Sequence, residues 1–171
     1  MHILVLGAGV VGVTTAWYLR QEGYDVTVVD RQQLAGVETS YANGGQISVS
    51  HAEPWANPSA PFKVLKWLTQ PDAPLLFRPR MDPAQWRWGM AFLRECTSAR
   101  AAHNLGQMVR LGTYSRTQLQ ALRKEAGIEY DHLEKGILHF YTDQQEFDAA
   151  IEPTRQMQDL GCDRQVIDAD K

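Results

Sequence analysis

Gly7-Ala8-Gly9-Val10-Val11-Gly12 sets three glycines at the spacing of a turn that cradles a diphosphate, and Asp30 follows eighteen residues after Gly12. Each type has a distinct task in that chemistry. Gly7 permits the tight turn, Gly9 lets the backbone approach a pyrophosphate, and Gly12 lets a helix pack closely on a strand. Asp30 can accept hydrogen bonds from the hydroxyls of an adenosine ribose. A carboxylate there disfavours a 2′-phosphate, which makes NADP the poorest candidate, while Arg31 beside it partly offsets that charge. FAD and NAD share this fingerprint and both remain open on these residues.

A second permissive stretch, Ser40-Tyr41-Ala42-Asn43-Gly44-Gly45-Gln46-Ile47-Ser48, begins ten residues after Asp30. Gly44 and Gly45 can turn main-chain N–H groups towards an anion. Ser40, Asn43 and Gln46 can add side-chain bonds to a phosphate or a flavin ring. The competing reading is an ordinary surface turn, since Asn-Gly and Gly-Gly are turn signals.

These residues need a βαβ unit to position them, and the pattern supplies one. His2 to Leu6 reads as a short buried strand of the parallel kind. A helix follows to about Glu22, closed by Gly23, with Ala16 one turn after Gly12 on the same face. Asp25 to Asp30 is a second, β-branched strand. The helix N-terminus then offers free N–H groups and a positive dipole to the diphosphate.

Composition removes several other classes. The 171 residues carry 17 Lys and Arg against 20 Asp and Glu, a net charge of -3. That balance argues against nucleic-acid binding. Cys96 and Cys162 stand alone, and the five histidines have no metal-ligand spacing, so neither a disulfide framework nor a metal site is expected. The counts fit a reducing, cytoplasmic compartment. Met1 to Leu19 lacks charge, but it has no basic lead and no cleavage signal, and its glycines weaken a spanning helix.

The run from Ile3 to Asp30, extended by Glu38 to Ser48, resembles the bacterial D-amino acid dehydrogenases. They belong to the FAD-dependent family that also holds D-amino acid oxidases and glycine oxidases. The likeness continues through Pro54-Trp55, Lys66-Trp67, Met108 to Leu111, Tyr114 to Arg116 and Gly136 to Leu138. The resemblance implies FAD, and oxidative deamination of D-amino acids, D-alanine foremost, to 2-oxo acids and ammonia. Electrons would leave to a quinone or another acceptor. By carry-over, Gly7, Gly9 and Gly12 hold the diphosphate, Asp30 the ribose, and Ser40 to Gln46 lie towards the flavin. Members of the family run to more than twice this length, so the sequence reads as an N-terminal piece. No catalytic residue is assigned within it. The alternatives are an NAD-linked dehydrogenase and a non-catalytic nucleotide-binding fragment.

The expected fold is α/β: an incomplete Rossmann-like segment over 1–53, a Pro- and Trp-rich excursion over 54–83, and part of an α+β substrate or cap domain over 84–171. Seven of the eight prolines fall between Pro54 and Pro83. Within that excursion, Lys63-Val64-Leu65-Lys66-Trp67-Leu68 is a cationic, aromatic patch suited to the cytoplasmic face of an anionic membrane. The favoured alternative packs Trp67 and Leu68 inward and leaves the lysines solvated. Asp82-Pro83 predicts a helix start, with Trp86, Met90, Leu93 and Thr97 on one core face. A second helix is predicted over 107–126 with Met108, Leu111, Tyr114 or Ser115, Leu119 and Leu122 as its core stripe, ending at Gly127. Two strands are expected in 128–142 around Gly136, with His139 a strand residue whose ring is satisfied and Glu134 solvated. Asp143 then caps a helix to about Leu160.

Overall fold

The computed structural model describes residues 1–68, 70 and 78–168. The chain divides into two compact units, Met1–Gln46 and Ile47–Lys171.

The first unit is the βαβ that the glycines require. Strand β1 (His2–Leu6) pairs in parallel with β2 (Asp25–Val29), from His2 opposite Asp25 to Leu6 opposite Val29. Helix α1 (Val10–Gln21) makes the crossover. It ends as the sequence indicates: Glu22 is its cap and Gly23 takes φ +83°, a left-handed value that glycine adopts without a Cβ penalty. Gly12 lies against β1, its position only 3.6 Å from the Val5 side chain when a Cβ is built.

The second unit contains α2 (Ala60–Trp67), α3 (Pro83–Glu95), α4 (Ser98–Ala126) and α5 (Gln144–Asp159). Their starts are written in the sequence. Asp82 Oδ1 accepts from Ala84 N–H at 2.8 Å, and Asp143 Oδ1 accepts from Glu146 N–H at 2.9 Å. Both relieve N–H groups that the helix itself cannot satisfy. Gly127, left-handed at φ 62°, closes α4. Helix α4 is longer than its apolar stripe suggests because Thr97, not a residue near 107, caps it.

The core of this unit is small: Ala52, Leu105, Val109 and Met157, with Cys162 packed against them. Val109 is 1% exposed and Met157 fully buried. The core stripe expected on α3 is not formed, and that on α4 is formed only in part, at the half-buried Leu119 and Leu122. Trp86, Met90 and Leu93 are exposed, as are Met108 and Leu111. On α4 the buried positions are Leu105 and Val109, so the face in use is rotated from the predicted one.

Residues 128–142 form no strand in this structure, correcting that expectation. The run Ile137 to Tyr141 has β-type residues, but a strand needs a neighbour to complete its backbone ladder. The segment is tied to α4 instead: Arg123 pairs with Glu134 and donates to the Tyr130 hydroxyl at 3.2 Å. Glu134 is exposed to solvent as expected but also ion-paired, and the Arg123 bond holds its carboxyl below the usual range.

His139 is likewise neither in a strand nor satisfied. Its Nε2 is buried without a hydrogen-bond partner, and its ring stacks on His51 with centroids 5.3 Å apart. Burial, then the charges of His51 and Arg164, lower its pKa, with Glu53 opposing. A depressed histidine costs nothing while neutral in both states. As pH falls through the unfolded value of about 6.5, the unfolded chain takes up the proton first and stability declines. The decline ends once pH passes below the folded value. The melting temperature should therefore drop between pH 7.5 and pH 5, and His139→Phe should shrink that drop. An equal drop in both proteins would refute the assignment to His139.

Candidate functional site: a glycine cradle closed by residues 30 to 40

The cradle lies wholly within Met1–Gln46 and starts from the turn between β1 and α1. Gly7, at φ 104°, occupies a region that side chains rarely enter, and its N–H donates to Val29 C=O at 2.7 Å. Gly9 precedes α1 in extended backbone and offers no side-chain cap. The first bond of the helical ladder runs from Val13 N–H to Gly9 C=O at 2.9 Å. Val10, Val11 and Gly12 therefore point N–H groups out of the ladder, at the positive end of the helix dipole. Ser40 Oγ accepts from Val10 N–H at 2.9 Å, which keeps the serine O–H as a donor beside the same helix end.

Asp30 is fixed by backbone on both sides. Oδ2 accepts from Ala8 N–H at 2.6 Å and Oδ1 from Gln32 N–H at 2.7 Å. These two bonds, the Ala8 bond foremost, hold its carboxyl below the usual range. Each oxygen keeps capacity for a further donor, such as a ribose hydroxyl. Gly36 N–H to Ala8 C=O, 2.9 Å, draws the same loop against the glycine turn.

The second glycine segment is arranged differently from expectation in one respect. Asn43 Nδ2 donates to Thr39 and Ser40 carbonyls at 3.1 and 3.2 Å, and Asn43 Oδ1 accepts from Gly45 N–H at 2.8 Å. Its amide thus builds the turn, and the Gly45 N–H is used internally. Gly44 and Gln46 are exposed. Ser40 is the member of this segment that reaches the glycine turn.

One residue of this site escaped the sequence reading. Glu38 accepts from Arg31 Nε and Nη2, both at 2.8 Å, and from Gln32 Nε2 at 2.9 Å. Seven residues separate Arg31 from Glu38 in an irregular loop, so no periodic signal marks the pair. An apolar groove of about 580 Å³ also runs along α1 and β2, between Ala16, Trp17, Val26 and Val28. None of the glycine-segment residues lines it, so it is the flank of the helix and separate from the cradle.

Taken together, the geometry suits a diphosphate at the α1 N-terminus and a vicinal diol at Asp30, the two polar parts of an adenosine diphosphate. Among the described residues, no group of three or more His, Cys, Asp or Glu is placed to hold a metal, and no helix is long and apolar enough to cross a membrane.

The chain is 61% identical over all 171 residues to a D-amino acid dehydrogenase of Dechloromonas aromatica strain RCB, covering 41% of that protein. It is 58% identical over 151 residues, 88% of this chain, to one of Paramagnetospirillum magneticum, covering 36% of it. Against one of Agrobacterium fabrum it is 48% identical over 170 residues, covering 99% of this chain and 41% of the relative. The chain thus spans about two fifths of the length of these curated relatives. No solved structure matches. Residues 2–171 match the family described as FAD dependent oxidoreductase, and the chain belongs to that family.

Proposed function

We propose that this chain is the cofactor-binding portion of an FAD-dependent D-amino acid dehydrogenase, which oxidises D-amino acids to 2-oxo acids and ammonia. The observation that carries this reading is the 61% identity, over all 171 residues, to a protein of that name. D-Alanine is the first substrate to test.

In this reading the turn Gly7, Ala8, Gly9, Val10, Val11 and Gly12 wraps the diphosphate, the N–H groups of Gly7, Ala8 and Val10 being given to Val29, Asp30 and Ser40. Val11 and Gly12 donate from backbone, and Ser40 donates its O–H. Asp30 accepts from the ribose, with Arg31 at its border. Asn43, Gly44, Gly45 and Gln46 shape the chain where it leads towards the flavin. A flavin held there would supply the redox chemistry of the reaction, the capacity to take a hydride from the substrate Cα. Residues 1–53 serve the cofactor, 54–83 form the excursion, and 84–171 contribute to the substrate or cap domain. The groups that grip the substrate carboxylate lie in the remainder of a protein of the relatives' length.

A quinone is the proposed acceptor, reached by peripheral contact with the cytoplasmic face of the membrane. Helix α2 supports this contact: Trp67 is partly buried, but Leu68, expected to pack inward, is 50% exposed, as are Phe62 and Leu65 at 75% and 64%, and Lys63 is exposed on the same helix. Apolar side chains flanked by a cation are what an anionic bilayer surface binds.

Titration with FAD and FMN, followed by D-alanine and a dye acceptor, tests the whole reading. The expected result is binding of FAD, weak binding of FMN because it lacks the adenosine diphosphate, and no turnover by the 171 residues alone. Equal affinity for both flavins would remove the cradle from the mechanism. D-Alanine-dependent dye reduction by this chain alone would overturn the placement of the substrate groups.

A further inference from the structure

Arg31 directly follows the acid that ends β2, where an arginine can accommodate the 2′-phosphate of a nucleotide. The sequence alone leaves open whether Arg31 acts in that way. In the structure its guanidinium is already engaged, by two parallel bonds of 2.8 Å to the two oxygens of Glu38. Gln32 Nε2, 2.9 Å from Glu38 Oε1, steadies the same carboxylate. The Gln32 bond and then the Arg31 bond hold the Glu38 carboxyl below its usual range.

Stability does not account for this arrangement. The two side chains are 78% and 46% exposed, and ion pairs so open to water contribute little to folding. What the fork-to-fork geometry does fix is direction, because bidentate pairing sets the plane of the guanidinium. It also sets the local charge. Asp30 and Glu38 are both ionised and Arg31 supplies one positive charge beside them, so these three residues sum to a net negative charge.

We propose that Glu38 is a specificity residue of the nucleotide site. By occupying Arg31, it makes the site accept an unphosphorylated adenosine ribose and refuse a 2′-phosphorylated one. This rests on the reading of the cradle as an adenosine diphosphate site. Removing the Glu38 charge releases the guanidinium and changes the local sum from negative to neutral, and a 2′-phosphate then meets a free fork donor instead of a carboxylate pair.

The probes are ADP and 2′-phospho-ADP, titrated calorimetrically into the 171-residue chain. The wild-type chain should prefer ADP by more than about tenfold, and Glu38→Gln should cut that preference by about tenfold. Arg31→Ala added to Glu38→Gln should restore the preference, since no guanidinium then remains to be freed. A purely structural role for Glu38 would weaken both ligands alike and leave their ratio unchanged, which would overturn the proposal while the cradle stands. Failure of a wild-type chain shown folded by circular dichroism to bind ADP would overturn the cradle reading, and the proposal with it.

Discussion

Gly12→Ala should abolish cofactor binding and loosen the whole first unit. A Cβ on residue 12 would overlap the carbonyl oxygen of Gly7 and lie 2.9 Å from its carbonyl carbon. Both atoms are backbone, and Gly7 is itself fixed by its bond to Val29 and by its positive φ. Neither side of the contact can turn away as a long side chain would. The helix must move off the strand, and forced overpacking of this kind costs about 1–3 kcal/mol, occasionally more. A two-stranded sheet with one helix has little reserve against such a loss. Gly44→Ala is the matched control, because nothing lies within 4 Å of its Cβ and its φ is not positive. Its stability should stay within about 0.5 kcal/mol of wild type. Denaturant melts followed by circular dichroism compare the two. Equal melts would mean that α1 is not seated on the glycine turn as closely as the structure has it.

Gly9→Val separates binding from folding. Residue 9 sits at φ -75°, ψ 179°, extended backbone open to any residue. Among the described residues the one close neighbour of its Cβ is Ser40 Oγ at 3.3 Å, a contact that a small serine shift relieves. The βαβ should therefore survive with its melt little changed. The valine methyl groups, however, would stand at the N–H groups of the α1 N-terminus, where a diphosphate must come against bare backbone. FAD affinity should fall by at least about a hundredfold, the loss of two charge-assisted bonds of about 1.5 kcal/mol each. Quenching of flavin fluorescence measures it. Unchanged FAD affinity in a folded Gly9→Val protein would remove the diphosphate from this helix end.

The features legible in the sequence are those whose cause is local. The glycine spacing and the β-branched run to Asp30 describe a unit whose parts are adjacent in the chain. Asp82, Asp143 and Gly127 each act on N–H or carbonyl groups within a few residues. Long-range effects were hidden. Ser40 meets Val10 across thirty residues, and nothing in either residue type announces it. Glu38 and Arg31 face each other only because the loop folds back through the Gly36–Ala8 bond. The strands expected over 128–142 had the right composition, but strand formation depends on a partner that composition does not reveal. Helix α2 was obscured by the prolines around it. Pro61 lies in its first turn, where a missing N–H costs nothing.

The cradle also has an order in time. Its bonds join residues close in sequence, Ala8 to Asp30 across 22 positions and Val10 to Ser40 across 30. Every one of its parts lies before Ile47. A ribosome adding about 5–20 residues per second delivers such a stretch within several seconds, and closing loops this short demands little entropy. The residues of the proposed cradle are thus all synthesised before the later helices. A cofactor present in the cell can meet its turn of glycines during synthesis and guide the growing chain, instead of waiting for a finished protein.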